Sequence, residues 1–360
     1  MPLGREAFWT PPRGDATGAV GRACERLIIG LSVACLQHHQ SASHCMLFRP
    51  LLRPLLYLLL LASGTAHAWN AAGHREVVAV AWSALDVTSR DRVQRLLLSQ
   101  RLIPDTQGQS TEANWMAAAL WPDSLRDKAD NTSTSDTPPT TNRQWLSRAS
   151  SGESTRRWHF ADRDIARPFE RQTPHGLLEQ ALSTQIRLLG DASLSRHDRA
   201  VALAWVSHLV ADAHQPLHCA SRQVPGHPGE LDAGGNLVTV LDAGRKPPEP
   251  LSLHRWWDEL PGQARPGSNR FNQELVRLLS QSLQVTESEL IKPPRAWIEE
   301  SFSIARDQVY PGLLPDPNLP GSFVIRQDYW LEGRDTSHMR LALAGRRLAY
   351  IVTQALKDLP

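Results

Sequence analysis

His208-Leu-Val-Ala-Asp212-Ala-His214-Gln-Pro-Leu-His218 is the stretch on which the reading of this chain turns. Residues four apart on a helix project from one face, so His208 and Asp212 can grip a single cation from one side. Pro216 lacks a backbone donor and is expected to end or kink the helix, turning His218 toward a neighbouring position instead of continuing the row. The same spacing recurs at His254-Arg-Trp-Trp-Asp258. One such pair is ordinarily an exposed helix ion pair. Two pairs and a third histidine on otherwise apolar helices point to metal, because polar groups are costly to bury without partners.

Working outward, helical periodicity dominates. Residues 198–213 carry Val201, Leu203, Ala204, Trp205 and Leu209 at helical spacings around His208 and Asp212. Val77, Val78, Val80, Ala81 and Leu85 fit one helix face, and Ser89 is placed to cap a second helix bearing Val93, Leu96 and Leu97. Further helical stretches run over 111–120, 175–189, 272–283, 297–310 and 336–356. Between them lie loops rich in Ser, Thr, Asp and Pro, such as 128–142, and a turn-rich stretch over 225–250. Within the latter, Asp232-Ala-Gly-Gly-Asn236 followed by Leu237-Val-Thr-Val240 predicts a glycine turn leading into one short strand of a hairpin. The fold class is mainly α, with one short β-hairpin and no linker between folded units.

Two more segments fit a site near those helices. Trp121-Pro-Asp123-Ser-Leu-Arg126 places a carboxylate after a proline expected to end its helix, and Trp158-His159-Phe160-Ala-Asp162 sets a histidine among aromatics. Taken singly, the first reads as a turn or cap and the second as a core histidine.

The chain has 360 residues, with 39 Lys+Arg against 37 Asp+Glu and four cysteines. Residues 46–68 read as a secretory signal: a basic head at Arg49 and Arg53, a leucine run from Leu55 to Leu61, and Ala66-His67-Ala68 at the positions a signal peptidase inspects. The run is too short for a membrane anchor. The 45 residues before Met46 precede a complete signal with its own methionine and read as an over-extended, unstructured start. Cleavage after Ala68 leaves a single domain, residues 69–360, exported to a periplasm or the extracellular space.

That cut removes six basic and three acidic residues and moves the formal charge from +2 to −1, which excludes a nucleic-acid coat working by counterion release alone. Cys24, Cys35 and Cys45 leave with it, and Cys219 alone remains. The exported domain must then be held by its core or by metal, not by disulfides. The cut also makes Trp69-Asn-Ala-Ala-Gly-His74 the new start. A free α-amino group, with a pKa of about 8, can chelate a cation together with its own carbonyl oxygen, and His74 could reach the same ion.

The order of these elements, from Trp69 and His74 through Trp-x-Asp-x-x-Arg, His-aromatic, His-x-x-x-Asp-x-His-Gln-Pro-Leu-His and Asp-x-Gly-Gly-Asn to His-x-x-Trp-Asp, resembles the secreted zinc-dependent type I nucleases. These are single-strand nucleases that also act as 3′-nucleotidases, of the same superfamily as zinc-dependent phospholipase C. Residues 344–349, Ala-Gly-Arg-Arg-Leu-Ala, look like the family's closing segment.

The resemblance implies one mostly helical domain around three zinc ions. One zinc would take Asp123, His159, His208 and Asp212. A second would take the amino group and carbonyl of Trp69 with His74 and a shared Asp212, and a third His218, His254 and Asp258. It further implies that Asp123 orients the attacking hydroxide and Arg126 clamps the phosphate. Phe160 would stack on a base whose edge Asp162 accepts, and His214 would hold a ligand carboxylate from behind. Hydrolysis of single-stranded DNA and RNA to 5′-phosphorylated products, with 3′-nucleotidase activity, is the implied function, for a monomer with no protein partner or membrane anchor.

His175, His197, His227 and His338 sit in polar or loop contexts and are expected to be solvated. Ser252 and Glu259 depart from residues frequent in the family and leave the contacts near the third zinc open. Two alternatives remain. Zinc phospholipases C generally carry Glu at the position of Asp258 and lack the His-Gln-Pro-Leu-His wording. A non-catalytic zinc- or nucleotide-binding exported protein would not need all nine ligand positions and Arg126 filled.

Overall fold

The computed structural model describes residues 69–98, 109–128, 138–242, 244–245 and 249–359, with the side chains of 126–128 outside that set. The signal segment and everything before it lie outside the described residues.

Helix α1 (Ala71–Ala84) is capped by Asn70, whose side chain accepts from the Ala72 and Gly73 amides. Helix α2 (Val87–Leu98) follows. Its start is held by Asp86 and not by Ser89: the Asp86 carboxylate accepts the Ser89 N–H at 2.6 Å, and Ser89 itself is buried. A shorter acidic cap one turn earlier competes better for the free amides than a serine already inside the helix. Helix α3 (Thr111–Lys128) runs through Pro122 without ending there. Proline blocks only the turn behind it, so Asp123 sits on a helix and not in a turn.

Helices α4 (Asn142–Ser151), α5 (Leu178–Gly190) and α6 (Arg196–Ala213) come next, with single 3₁₀ turns at Arg156–His159 and Phe169–Arg171 before α5. Every residue of α6 from Arg199 to Ala213 is buried. A helix covered all round is a core element: α6 packs against α3, α4 and α5 and against the last helix of the chain. Tryptophans fill the space beside it. Trp158 stands 4.8 Å from both Trp145 and Trp205, and the Trp205 indole donates to the Ala149 carbonyl at 2.8 Å.

After α6 the chain forms one 3₁₀ turn, Pro216–His218, and then strands β1 (Thr239–Asp242) and β2 (Pro250–Ser252). These make the expected hairpin, pairing Val240 with Leu251. Helix α7 (Leu253–Asp258) follows β2 directly, and α8 (Asn269–Ser282), α9 (Glu287–Leu290) and α10 (Pro294–Ile304) complete the middle of the chain. Strands β3 (Leu314–Pro315) and β4 (Ser322–Ile325) extend the hairpin to a four-stranded sheet of order β2-β1-β4-β3, with β1 and β4 parallel. Helix α11 (Gln327–Ala355) starts nine residues before its apolar period shows and packs along α1, α6 and α8. The sheet matters for the site because β2 delivers α7, and the Trp256 indole pins α7 to the Asp242 carboxylate of β1 at 3.0 Å.

Candidate metal centre

Six segments supply the side chains. His74 comes from α1, Asp123 from α3, His159 from the 3₁₀ turn 156–159, and His208 with Asp212 from α6. His218 comes from the turn after Pro216, and His254 with Asp258 from α7. Helix α6 stops at Ala213, and Pro216 opens the next turn at its first position, where a missing N–H costs nothing. That break carries His218 off the α6 row.

The histidines of α6, of the turn and of α7 share one device. His208 Nδ1 donates to the Ala119 carbonyl at 2.8 Å, His218 Nδ1 to the His159 carbonyl at 2.6 Å, and His254 Nδ1 to the Gly234 carbonyl at 2.8 Å. A carbonyl only accepts, so each Nδ1 bears the proton and each Nε2 presents a lone pair. Gly234, at φ +64°, is required for its part, because a Cβ there would collide with the Leu217 carbonyl and crowd the His254 ring.

Those lone pairs converge. The Nε2 atoms of His218 and His254 face each other at 3.1 Å, with the Asp258 carboxylate 3.6 Å from His254. Around His208 Nε2 stand His159 Nδ1 at 2.9 Å, Asp212 Oδ2 at 3.4 Å and Asp123 Oδ1 at 3.6 Å. His159 Nδ1 is itself 3.1 Å from Asp212. Asp212 divides its oxygens, Oδ1 lying 3.7 Å from His74 Nε2, while the His74 ring stacks on His208 at 4.2 Å. Two nitrogen lone pairs pointed at one spot beside a carboxylate repel each other until a cation stands between them, so the donor set fits a metal. Three groups could each hold one ion: His74, His208 and Asp212; Asp123, His159 and His208; His218, His254 and Asp258. Imidazole and carboxylate without thiolate suit zinc. Cys219 offers no thiolate, since burial pushes its thiol up to about 12.

Trp69 is buried at the start of α1, and the neighbouring Asn70 N–H donates to the Asp258 carbonyl at 3.0 Å, so the chain here runs past the third group. Arg126 lies three residues beyond Asp123 on α3, its side chain outside those described. Phe160 is half-buried next to His159. Asp162 is buried and its carboxyl is pushed well above the usual range, first by burial and then by Asp232, although the Ser221 hydroxyl donates to it at 3.0 Å. Ser221 also accepts the Gly234 N–H at 2.7 Å, which links Asp162 to the carbonyl that orients His254.

Three readings change. His214 does not hold a ligand carboxylate. Its Nδ1 donates to the Val210 carbonyl at 2.7 Å and its Nε2 accepts from Arg347 at 2.8 Å, while burial and the charges of Arg340 and Arg347 push its pKa far down. The carboxylate is held by Gln215, unassigned in the sequence: its Nε2 donates to Asp258 Oδ1 at 2.7 Å and its Oε1 accepts the Leu217 N–H. An uncharged amide offers a donor and an acceptor on one terminal group, so Gln215 can do both at once. His338 is buried beside Glu274 at 3.4 Å, whereas His175, His197 and His227 are exposed as expected. Ser252 caps α7 through the Arg255 N–H, and Glu259 is engaged by Arg245 and Arg255, each at 2.7 Å.

A family model described as S1/P1 Nuclease matches residues 69–357 of this chain. Endonuclease 2 of Arabidopsis thaliana is 24% identical over 306 residues, covering 81% of this chain and 91% of that protein.

Proposed function

The chain belongs to the S1/P1 nuclease family, and from that premise we propose that it is a zinc-dependent phosphodiesterase. Its substrates in this reading are single-stranded DNA and RNA, cut to 5′-phosphorylated products, and 3′-nucleotides, from which it removes phosphate. Membership makes it a nuclease, a hydrolase of phosphodiester bonds; the finer assignment is carried by the convergence of backed imidazole lone pairs and carboxylates at three groups.

Bound divalent metal would lower the pKa of water and neutralise charge on the phosphoryl oxygens. Trp69, His74 and Asp212, Asp123 with His159, His208 and Asp212, and His218, His254 and Asp258 are the residues that would hold three ions. Asp123, the most exposed carboxylate of its group at 14%, accepts a hydrogen bond from the attacking water and orients it. Arg126 donates to the phosphate. Phe160 offers a face to one unpaired base and Asp162 accepts from its edge; stacking of this kind tolerates any base and needs a single strand.

In the same reading residues 46–68 direct export to a periplasm or beyond, and 69–360 act as a monomer with no protein partner. Metal analysis combined with 3′-AMP, 5′-AMP and single- and double-stranded substrates tests it: about three zinc per chain, with turnover of 3′-AMP and single strands, is expected. Zinc without phosphate release overturns the catalytic assignment. One extra residue before Trp69 is expected to remove one zinc and most activity, since an amide nitrogen has no basic lone pair; full activity with three zinc refutes the role of Trp69.

A further inference from the structure

Beside Phe160 lies a recess of 260 Å³ lined by Arg163, Gln172, Gly176, Glu179 and Arg295 and by none of the metal-holding residues. Gly176 joins it to Phe160. At φ +99°, Gly176 packs so closely on Phe160 that an added Cβ would overlap its carbonyl oxygen and stand 2.7 Å from Cδ2 of its ring. The recess also meets the first turn of α5, a helix start with no side-chain cap; the Leu178 N–H is taken by the Phe160 carbonyl at 3.1 Å, and the positive end of the helix dipole at Glu179 and Gln180 favours an anion.

Its charges are incompletely matched. Arg163 is 1% exposed; it donates to the Ala161 carbonyl at 3.2 Å and to Glu179 at 3.4 Å, and its buried Nε has no hydrogen-bond partner among the described residues. Arg295, half in solvent, is 3.5 Å from the same Glu179 oxygen. Both guanidinium groups lie over the Phe169 ring, at 4.1 and 5.2 Å. Tight charge-assisted bonds are about 2.7–2.9 Å long, so one carboxylate at longer range serves two arginines and one positive charge is left over.

We propose that this recess is a phosphate subsite, taking the phosphodiester adjacent to the nucleotide whose base lies on Phe160. The assignment rests on the nuclease reading with a base at Phe160. Arg163 and Arg295 supply the donors, the start of α5 at Glu179 and Gln180 adds its dipole, and Glu179 sets how strongly the recess attracts an anion. A 3′-mononucleotide has no second phosphate to place here and a strand does, so the subsite makes the enzyme sense chain length.

The test compares wild type, Arg295→Ala and Glu179→Gln, all with thermal unfolding checked. It uses 3′-AMP, a single-stranded tetranucleotide, and fluorescence anisotropy of a phosphorothioate tetranucleotide across a salt series. Arg295→Ala is expected to raise KM and Kd for the tetranucleotide about five- to tenfold, and to flatten the log Kd against log salt slope by about 0.7. Glu179→Gln is expected to shift both in the opposite direction. The ratio of tetranucleotide to 3′-AMP kcat/KM moves opposite to Kd, falling in Arg295→Ala and rising in Glu179→Gln. An unmoved ratio and unmoved Kd in both variants overturns the subsite, as does movement of the two variants in the same direction. Wild type that cleaves neither substrate fails the nuclease reading itself, a distinct result.

Discussion

The end of α6 serves two clusters that each join histidine to carboxylate and are wired in opposite senses. On one side His208 and Asp212 meet His74, His159 and Asp123, so ring nitrogens and carboxylates converge. On the other side His214 accepts from Arg347, Arg340 donates to the His214 carbonyl at 3.3 Å, and Glu300 closes the set with bonds of 2.8 to 3.0 Å to both arginines. Backing by a carbonyl does not separate the two, because His214 has it as well. What separates them is the group opposite the second nitrogen. Where that group is a guanidinium the histidine is satisfied within the protein, and where it is another ring nitrogen, as between His218 and His254, a metal fits between the two.

Removing the shared carboxylate should break the metal side most severely. Asp212→Asn is expected to lower metal content and to cut kcat/KM by more than the ~100-fold typical of residues one step removed from a metal; metal analysis beside steady-state kinetics checks both. Arg347→Met attacks the other side. With Glu300 and His214 left facing an apolar chain, a loss of about 3 kcal/mol is expected in denaturant unfolding, while the refolded fraction keeps its metal content. A variant that loses metal in proportion would mean the two clusters are not separable.

Gln215 lies between them. Gln215→Glu retains the oxygen that accepts the Leu217 N–H but sets a second carboxylate against Asp258, so metal affinity of the third group alone should fall roughly tenfold. Equal affinity would leave Gln215 with only its turn-capping role. The smallest effect concerns pH. Burial pushes the Glu300 carboxyl up, but the bonds and charges of Arg347 and Arg340 outweigh it and hold the group far below its ordinary value of 4.5. Its contribution is therefore fully present above pH 4.5 and is lost as pH falls through the lowered value. Glu300→Gln is expected to flatten stability against pH below 4.5 by at most one proton, about 1.4 kcal/mol per pH unit, as read from urea midpoints.

The pattern of helices, the hairpin and His208, Asp212, His218, His254 and Asp258 were legible because period and spacing are local properties, whereas His74, Asp123 and His159 carried weak local signals and were placed by the resemblance. Pro122 misled because proline's effect depends on whether the turn behind it is needed, and tertiary packing of α3 against α6 decides that. His338 read as solvated because its apolar cover comes from residues far away in sequence. Gln215 and His214 exchanged roles for the same reason: only the positions of Asp258 and Arg347, more than forty residues away, tell which of two adjacent side chains points where.

The Asn70 side chain donates to the Gly262 carbonyl, a bond spanning 192 residues, and the Asn70 amide holds the Asp258 carbonyl next to it. Such a closure forms late, because a contact between distant segments must wait for the chain between them to be ordered. A chain folded only over its first half has neither His254 nor Asp258, so the third group of candidate metal ligands cannot form in it. Completeness of the third group is thus tied to completeness of the fold: the segment that opens the described domain is also the one that fastens the end of α7.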